Sequence, residues 1–167
     1  MKPASPLVMT DPLPRGSETS LVLTHLMQPA DANFMGNIHG GTIMKLIDDA
    51  AGACAFRFCR TRVVTAAIDR IDFHFPVQIG DLVRFMANVN YAGRTSVEVG
   101  VRVEAEDLTS GSVTHTNSAY LVFVALNAGG RPIPVPAFEP QTDKQKEWYA
   151  EAQERQRKRL ALREPAD

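Results

Sequence analysis

Four residues in one short stretch could carry chemistry: Asn37, Gly40, Gly41 and Asp48. Two adjacent glycines at the start of an apolar, helix-forming run leave backbone N–H groups bare, so a polarised oxygen can approach them closely. Asn37 adds a side-chain amide on the approach to that start. Asp48 lies seven residues past Gly41, two turns along the same helix face, which puts an acid or base within reach. Met44, Ala51, Gly52 and Ala55 share its direction, and the small ones leave space around the carboxylate. The neighbouring Asp49 lies about 100° away and is four residues past Lys45, the spacing of an exposed ion pair. An oxyanion site, a positioning amide and a carboxylate are the parts that acyl transfer requires. The residues alone also allow plainer roles: Asp48 paired with Lys45, Asn37 as a turn residue, and the glycines serving close packing.

The elements that must hold these groups follow from the pattern of apolar residues. A strand is expected over residues 18–27, then a loop over 29–41 with turn-formers Asp31, Asn33, Gly36 and Asn37. Residues 42–59 read as a helix that is apolar around most of its circumference, and such a helix belongs inside something. Four strands follow, over 62–75, 82–91, 96–104 and 113–126. The second places Val83, Phe85, Ala87, Val89 and Tyr91 on one face; the third alternates Val97, Val99, Val101 and Val103 with polar residues. Short turns between them imply antiparallel neighbours. A flat sheet cannot cover a helix that is apolar all round, so the sheet must curl, and a second copy of the chain is expected to cover the rest. Residues 141–164 form a charged, helix-prone tail whose apolar points include Trp148, Tyr149, Ala152 and Leu160. Its basic run from Arg155 to Arg159 reads as a solvated face, or as a contact for a substrate phosphate.

Composition narrows the class. With 167 residues and 44% hydrophobic content the chain suits one domain with a sizeable core. A net charge of −1 gives no global field for nucleic acid or an anionic membrane surface. Cys54 and Cys59 have neither redox nor zinc spacing and read as buried structural residues. The four histidines are scattered, so no metal site is expected. Residues 1–16, rich in proline and small polar residues, read as a disordered arm without the apolar core of a secretory leader; a cytoplasmic location is expected.

The loop DANFMGNIHGG followed by TIMKLIDDAAGACAFRFC resembles the acyl-CoA thioesterase branch of the hotdog superfamily, close to the cytosolic acyl-CoA hydrolases and their bacterial single-domain forms. The likeness continues through RIDFHFPVQIGD, GRTSVEV and TNSAYLVFVAL. It implies an α+β hotdog fold over residues 17–136, a curled antiparallel sheet wrapped around one long helix, with residues 137–167 as a helical tail. It implies Asn37 and Asp48 as the catalytic pair, contributed by different protomers, and places His39 at a non-catalytic position. The Gly41 N–H, helped by Gly40, would hold the thioester oxygen, with Asp48 as general base or, as an alternative, as nucleophile. Gly93, Arg94, Thr95 and Ser96 would contact coenzyme A, which is part of the substrate, so no separate cofactor is expected. A homo-oligomer is implied, a hotdog dimer built up into a trimer of dimers. Two alternatives stand beside this: an aromatic, phenylacetyl-CoA type of thioesterase, and a non-catalytic acyl-CoA-binding module. His74-Phe75-Pro76 is similar to a motif of hotdog dehydratases, but it follows the helix and lacks the helix glutamate of that group.

Overall fold

A computed structural model describes residues 18–162. The arm expected over residues 1–16 lies outside them, as does the end of the tail. The described chain runs β1 (Ser20–Leu26), a 3₁₀ turn (Pro29–Asp31), α1 (Gly40–Cys59), β2 (Val63–Phe73), β3 (Leu82–Ala92), β4 (Ser96–Glu106), β5 (Val113–Ala125) and α2 (Asp143–Ala161). The strands form one antiparallel sheet in the order β1-β3-β4-β5-β2. This is the hotdog architecture that the sequence implies.

The sheet closes on α1. Ile43, Leu46, Ile47, Ala50, Ala51, Cys54 and Ala55 are buried against inward residues of β3, β4 and β5 such as Phe85, Val89, Val99, Val103 and Leu121. Each large side chain buried this way contributes about 1.5–3 kcal/mol relative to exposure. The helix begins two residues earlier than its apolar pattern suggests, because both glycines adopt helical geometry behind an extended His39. One face of α1 stays uncovered: Met44 is 42% and Phe56 54% exposed, with Lys45, Asp49 and Ala53 between them.

A bulge corrects the expected facing of β3. The register with β4 slips between Val89 and Tyr91, so Val89 pairs with Val99 on the inner face while Tyr91 pairs with Glu98 on the outer one. The bulged residue, Asn90, is itself buried and lies over Gly100, where a Cβ would stand 2.6 Å from Asn90 Nδ2.

The outer face is covered by α2, and here the expected solvated basic run is corrected. Arg155 reaches down to Glu98, a fully buried carboxylate, with Nη2–Oε1 at 2.7 Å and Nε–Oε1 at 3.1 Å. Burial works against the Arg155 charge, but the Glu98 contacts outweigh it and hold the guanidinium above its usual range. Arg159 lies 3.7 Å from Glu98 and pairs with Asp69, which the β2 bulge between Ile68 and Arg70 leaves out of the ladder. Arg157 and Lys158 remain solvated. Burying one acid on the sheet thus requires the cations of the helix.

Candidate active site

The loop between β1 and α1 is ordered by its own polar side chains. Asn33 Oδ1 accepts the N–H groups of Met35 at 2.9 Å and Asn37 at 3.3 Å, and Asn33 N–H donates to the Asn37 carbonyl at 2.7 Å. Asp31 accepts from Gln28 N–H at 2.8 Å and pairs with His25 at 3.2 Å; these contacts hold its carboxyl below the usual range. The Asp31 carbonyl accepts the His39 N–H at 2.8 Å, fixing the entry to α1. The Asn37 side chain has no internal hydrogen-bond partner among the described residues.

At the helix start one expectation is corrected. The Gly41 N–H is not bare: it donates to Nδ1 of the preceding His39 at 2.8 Å, a side-chain cap on the first turn. Thr42 and Ile43 N–H donate to the His39 carbonyl, which leaves the Gly40 N–H as the open donor of this turn among the described residues. His39 is exposed, so a ligand oxygen reaching Gly41 would displace its ring. Phe73, half-exposed, stands beside Gly40.

Asp48 is half-buried on the uncovered face of α1, and Lys45 does not claim it: Lys45 Nζ bonds Asp49 Oδ2 at 2.7 Å. Asp48 Oδ1 instead accepts a hydrogen bond from Thr65 Oγ1 on β2 at 2.8 Å. Thr65 was not singled out by the sequence, although a hydroxyl on the strand that follows α1 is a signal that could have been weighed. Asp48 and Thr65 line an open groove of about 390 Å³ together with Asp49, Gly52, Phe56, Val63 and Phe123. Phe56, Val63 and Phe123 give this groove apolar surface beside its two carboxylates.

The Gly93–Ser96 turn joins β3 to β4 at one end of the sheet. Gly93 N–H donates to the Ser96 carbonyl at 2.8 Å, the Thr95 carbonyl accepts from Ala125, and Val97 pairs with the groove residue Phe123. Gly40 and Gly41 stand two helical turns away from Asp48 on α1. Cys54 and Cys59 are buried thiols, pushed up to about 12 and about 11 by burial, which suits packing rather than reaction. Among the described residues no group of side chains could hold a metal ion.

Comparison with known proteins agrees with this geometry. The family model described as Thioesterase superfamily matches residues 35–112. Protein VdlD of Helicobacter pylori is 41% identical over 125 residues, covering 75% of this chain and 71% of that protein. The cytosolic acyl coenzyme A thioester hydrolase of Rattus norvegicus is 36% identical over 83% of this chain, which spans only 36% of that longer protein. An acyl-CoA hydrolase of Staphylococcus aureus, solved with butyryl coenzyme A and coenzyme A, superposes with a TM-score of 0.81 at 35% identity, over 87% of this chain and 89% of that one. A crystal structure of an apo-hexameric acyl-CoA thioesterase gives 0.83 at 38% identity, over 89% and 97%. Three further structures of the Staphylococcus enzyme carry alanine in place of an asparagine, an aspartate and a threonine. Their sequence separations are those of Asn33, Asp48 and Thr65 here. This chain belongs to the thioesterase superfamily, in its branch of acyl-CoA thioester hydrolases.

Proposed function

We propose that the protein hydrolyses acyl-CoA to a free carboxylic acid and coenzyme A, with Asp48 as general base. The observation that carries this is the Asp48–Thr65 pair in an open groove that Phe56, Val63 and Phe123 help to line. Thr65 occupies one carboxylate oxygen and leaves the other for a water molecule. That water attacks the thioester carbonyl carbon while its proton passes to Asp48. The negative charge on the carbonyl oxygen is met by Gly40 N–H, and by Gly41 N–H once His39 swings aside, at the positive end of α1. The C–S bond then breaks, and the proton on Asp48 goes to the departing sulfur. Direct attack by the carboxylate through an anhydride is the alternative route.

Helix geometry supports a site shared between two copies. At about 1.5 Å per residue, Gly41 and Asp48 are about 10 Å apart along the axis, too far to touch one carbonyl together. A second copy whose α1 lies antiparallel on the uncovered face brings its own helix start to Asp48. The exposed Met44 and Phe56, and the 99%-exposed Phe34 beside Asn33, gain cover in the same step. Such dimers would assemble further into a hexamer. Asn37 would orient the water or the carbonyl from the partner's loop. Asn33 is a second reading for that amide, favoured by the matching separations of the substituted asparagine, aspartate and threonine. Coenzyme A enters with the substrate, so the reaction needs no further cofactor. A cytoplasmic place in fatty acid metabolism fits this chemistry.

The test is thiol release from short, long and aromatic acyl-CoAs, for the wild type and Asp48→Asn. Turnover by the wild type and a loss of about 100-fold or more in the variant supports Asp48 as base. A preference for aromatic esters would move the protein to the phenylacetyl type, and binding without turnover would make it an acyl-CoA-binding module.

A further inference from the structure

The cap on the first turn of α1 is a hydrogen bond that a proton can switch off. His39 Nδ1 accepts the Gly41 N–H at 2.8 Å, so in this state that nitrogen carries a lone pair and no proton. In an imidazolium both ring nitrogens are donors, and Nδ1 would then meet the Gly41 N–H donor to donor. The positive end of the helix adds to the repulsion, since cations are disfavoured at an N-terminus. A protonated His39 ring therefore leaves Gly41. The way out is open, because His39 is exposed. Its backbone stays behind: the His39 N–H donates to the Asp31 carbonyl at 2.8 Å, and its own carbonyl accepts from Thr42 at 2.9 Å and Ile43 at 3.2 Å. The charged and titratable groups of the surrounding elements are engaged elsewhere. In the loop, Asp31 pairs with His25, and on α1 Lys45 pairs with Asp49. On β2, whose Phe73 ring stands beside Gly40, Asp72 pairs with Arg70 and His74 lies against the His115 ring. Between β2 and β3, where the Val77 carbonyl accepts the Ile38 N–H, Asp81 accepts the Gln78 N–H at 2.8 Å.

We infer that His39 is a proton-operated gate on the oxyanion donor: the neutral ring occupies the Gly41 N–H, and the protonated ring releases it to the thioester oxygen. The inference rests on the thioesterase reading and adds the regulation of that same site. His39 makes and breaks no covalent bond in the reaction. It sets whether the oxyanion finds Gly40 N–H alone or the Gly40 and Gly41 N–H groups together, without first displacing a ring. The gate opposes the acid loss usual for a general base: as pH falls the free carboxylate is depleted while the second donor is released. In the shared site the carboxylate brought to this turn is Asp48 of the second copy, and it is common to every protein compared below.

The experiment compares wild type, His39→Asn and His39→Ala by kcat/KM on the best acyl-CoA of the thiol-release panel. It is run at about pH 8 and about pH 5.5, on either side of the range in which imidazoles titrate. Asparagine caps a helix well and does not titrate, so it keeps the gate shut at both pH values; alanine leaves it open at both. Displacing a side-chain cap corresponds to about fivefold. His39→Ala should therefore exceed wild type about fivefold at the higher pH and match it at the lower. His39→Asn should match wild type at the higher pH and fall about fivefold below it at the lower. The titration of Asp48 is shared by all three proteins and cancels in these ratios. A second readout needs no turnover: the Gly41 amide resonance of ¹⁵N-glycine-labelled protein should move with pH in step with the His39 ring protons in wild type, and stay in place in both variants. A Gly41 resonance that ignores the His39 titration, or variant-to-wild-type ratios that are equal at both pH values, overturns the gate. If wild type hydrolyses no ester, the thioesterase reading fails and the Gly41 resonance alone decides whether His39 releases its N–H.

Discussion

Thr65 Oγ1 donates a 2.8 Å hydrogen bond to Asp48 Oδ1, joining the edge strand β2 to the uncovered face of α1. A hydroxyl in this place does two things for a general base. It fixes the rotation of the carboxyl group, and it leaves the second oxygen as the acceptor for water. Both effects act on the reacting geometry rather than on substrate affinity.

Thr65→Val should therefore lower kcat by about tenfold and leave KM within a factor of two, since a hydrogen bond to a charged group is worth about 1.5–3 kcal/mol and part of it is replaced by water. Thr65→Ser, which keeps the hydroxyl, should recover most of the rate. Steady-state kinetics on one acyl-CoA reads both. A valine variant with full kcat would show that Thr65 only packs the edge strand.

The two asparagines of the loop before α1 can be separated because only one of them has its side chain committed to the turn. Asn33 Oδ1 accepts two backbone N–H groups, and an aspartate there would keep those bonds while losing the amide donor. We expect Asn33→Asp to cost about 100-fold in kcat, the scale of a lost oxyanion donor, and Asn37→Ala about tenfold. The opposite order would return the positioning role to Asn37 alone.

Much of this molecule is legible in its sequence, for identifiable reasons. The valines of β4 alternate without interruption, so their facing follows from period two alone. The helix start is marked by Gly40 and Gly41, and Asp48 is separated from Asp49 by helical periodicity, which the Lys45–Asp49 bond bears out. What was hidden depends on tertiary contact. The Asn90 bulge that turns Tyr91 outward leaves no mark in the alternation. The His39 cap on Gly41 replaces a bare donor by a local side-chain choice. The burial of Glu98 needs a helix from 57 residues further along the chain, and no local pattern announces such a pairing.

The buried cysteines should contribute to a loss of stability at alkaline pH. Burial raises Cys54 to about 12 and Cys59 to about 11, against 9.0 for an ordinary thiol. A group that is harder to ionise in the folded state contributes stability below the unfolded value and loses it as pH rises above that value. Stability should accordingly be flat to about pH 9 and then fall by about 1.4 kcal/mol per pH unit for each thiol. Urea melts at pH 8, 9.5 and 10.5 on wild type and a Cys54→Ala, Cys59→Ala variant check this: the variant should show the shallower decline. Equal slopes would assign the alkaline loss to other groups.

Arg155 is the residue on which the docking of α2 depends. Its guanidinium grips Glu98, whose side chain is 1% exposed, and stacks on the Tyr120 ring with Cζ 3.8 Å from the centroid. Apart from this contact α2 buries little, with Ala152 its only fully buried residue among those described. Arg155→Ala would leave a carboxylate in the protein interior with Arg159 as a longer-range partner, so the loss should be about 3–5 kcal/mol by urea denaturation. Replacing both charges, Glu98→Gln with Arg155→Met, should recover a good part of that loss, because neither isolated charge then remains buried. A mild effect of Arg155→Ala, below about 1 kcal/mol, would mean that Glu98 finds water or Arg159 instead and that α2 is held by its Tyr149 packing on Tyr91 and Phe138.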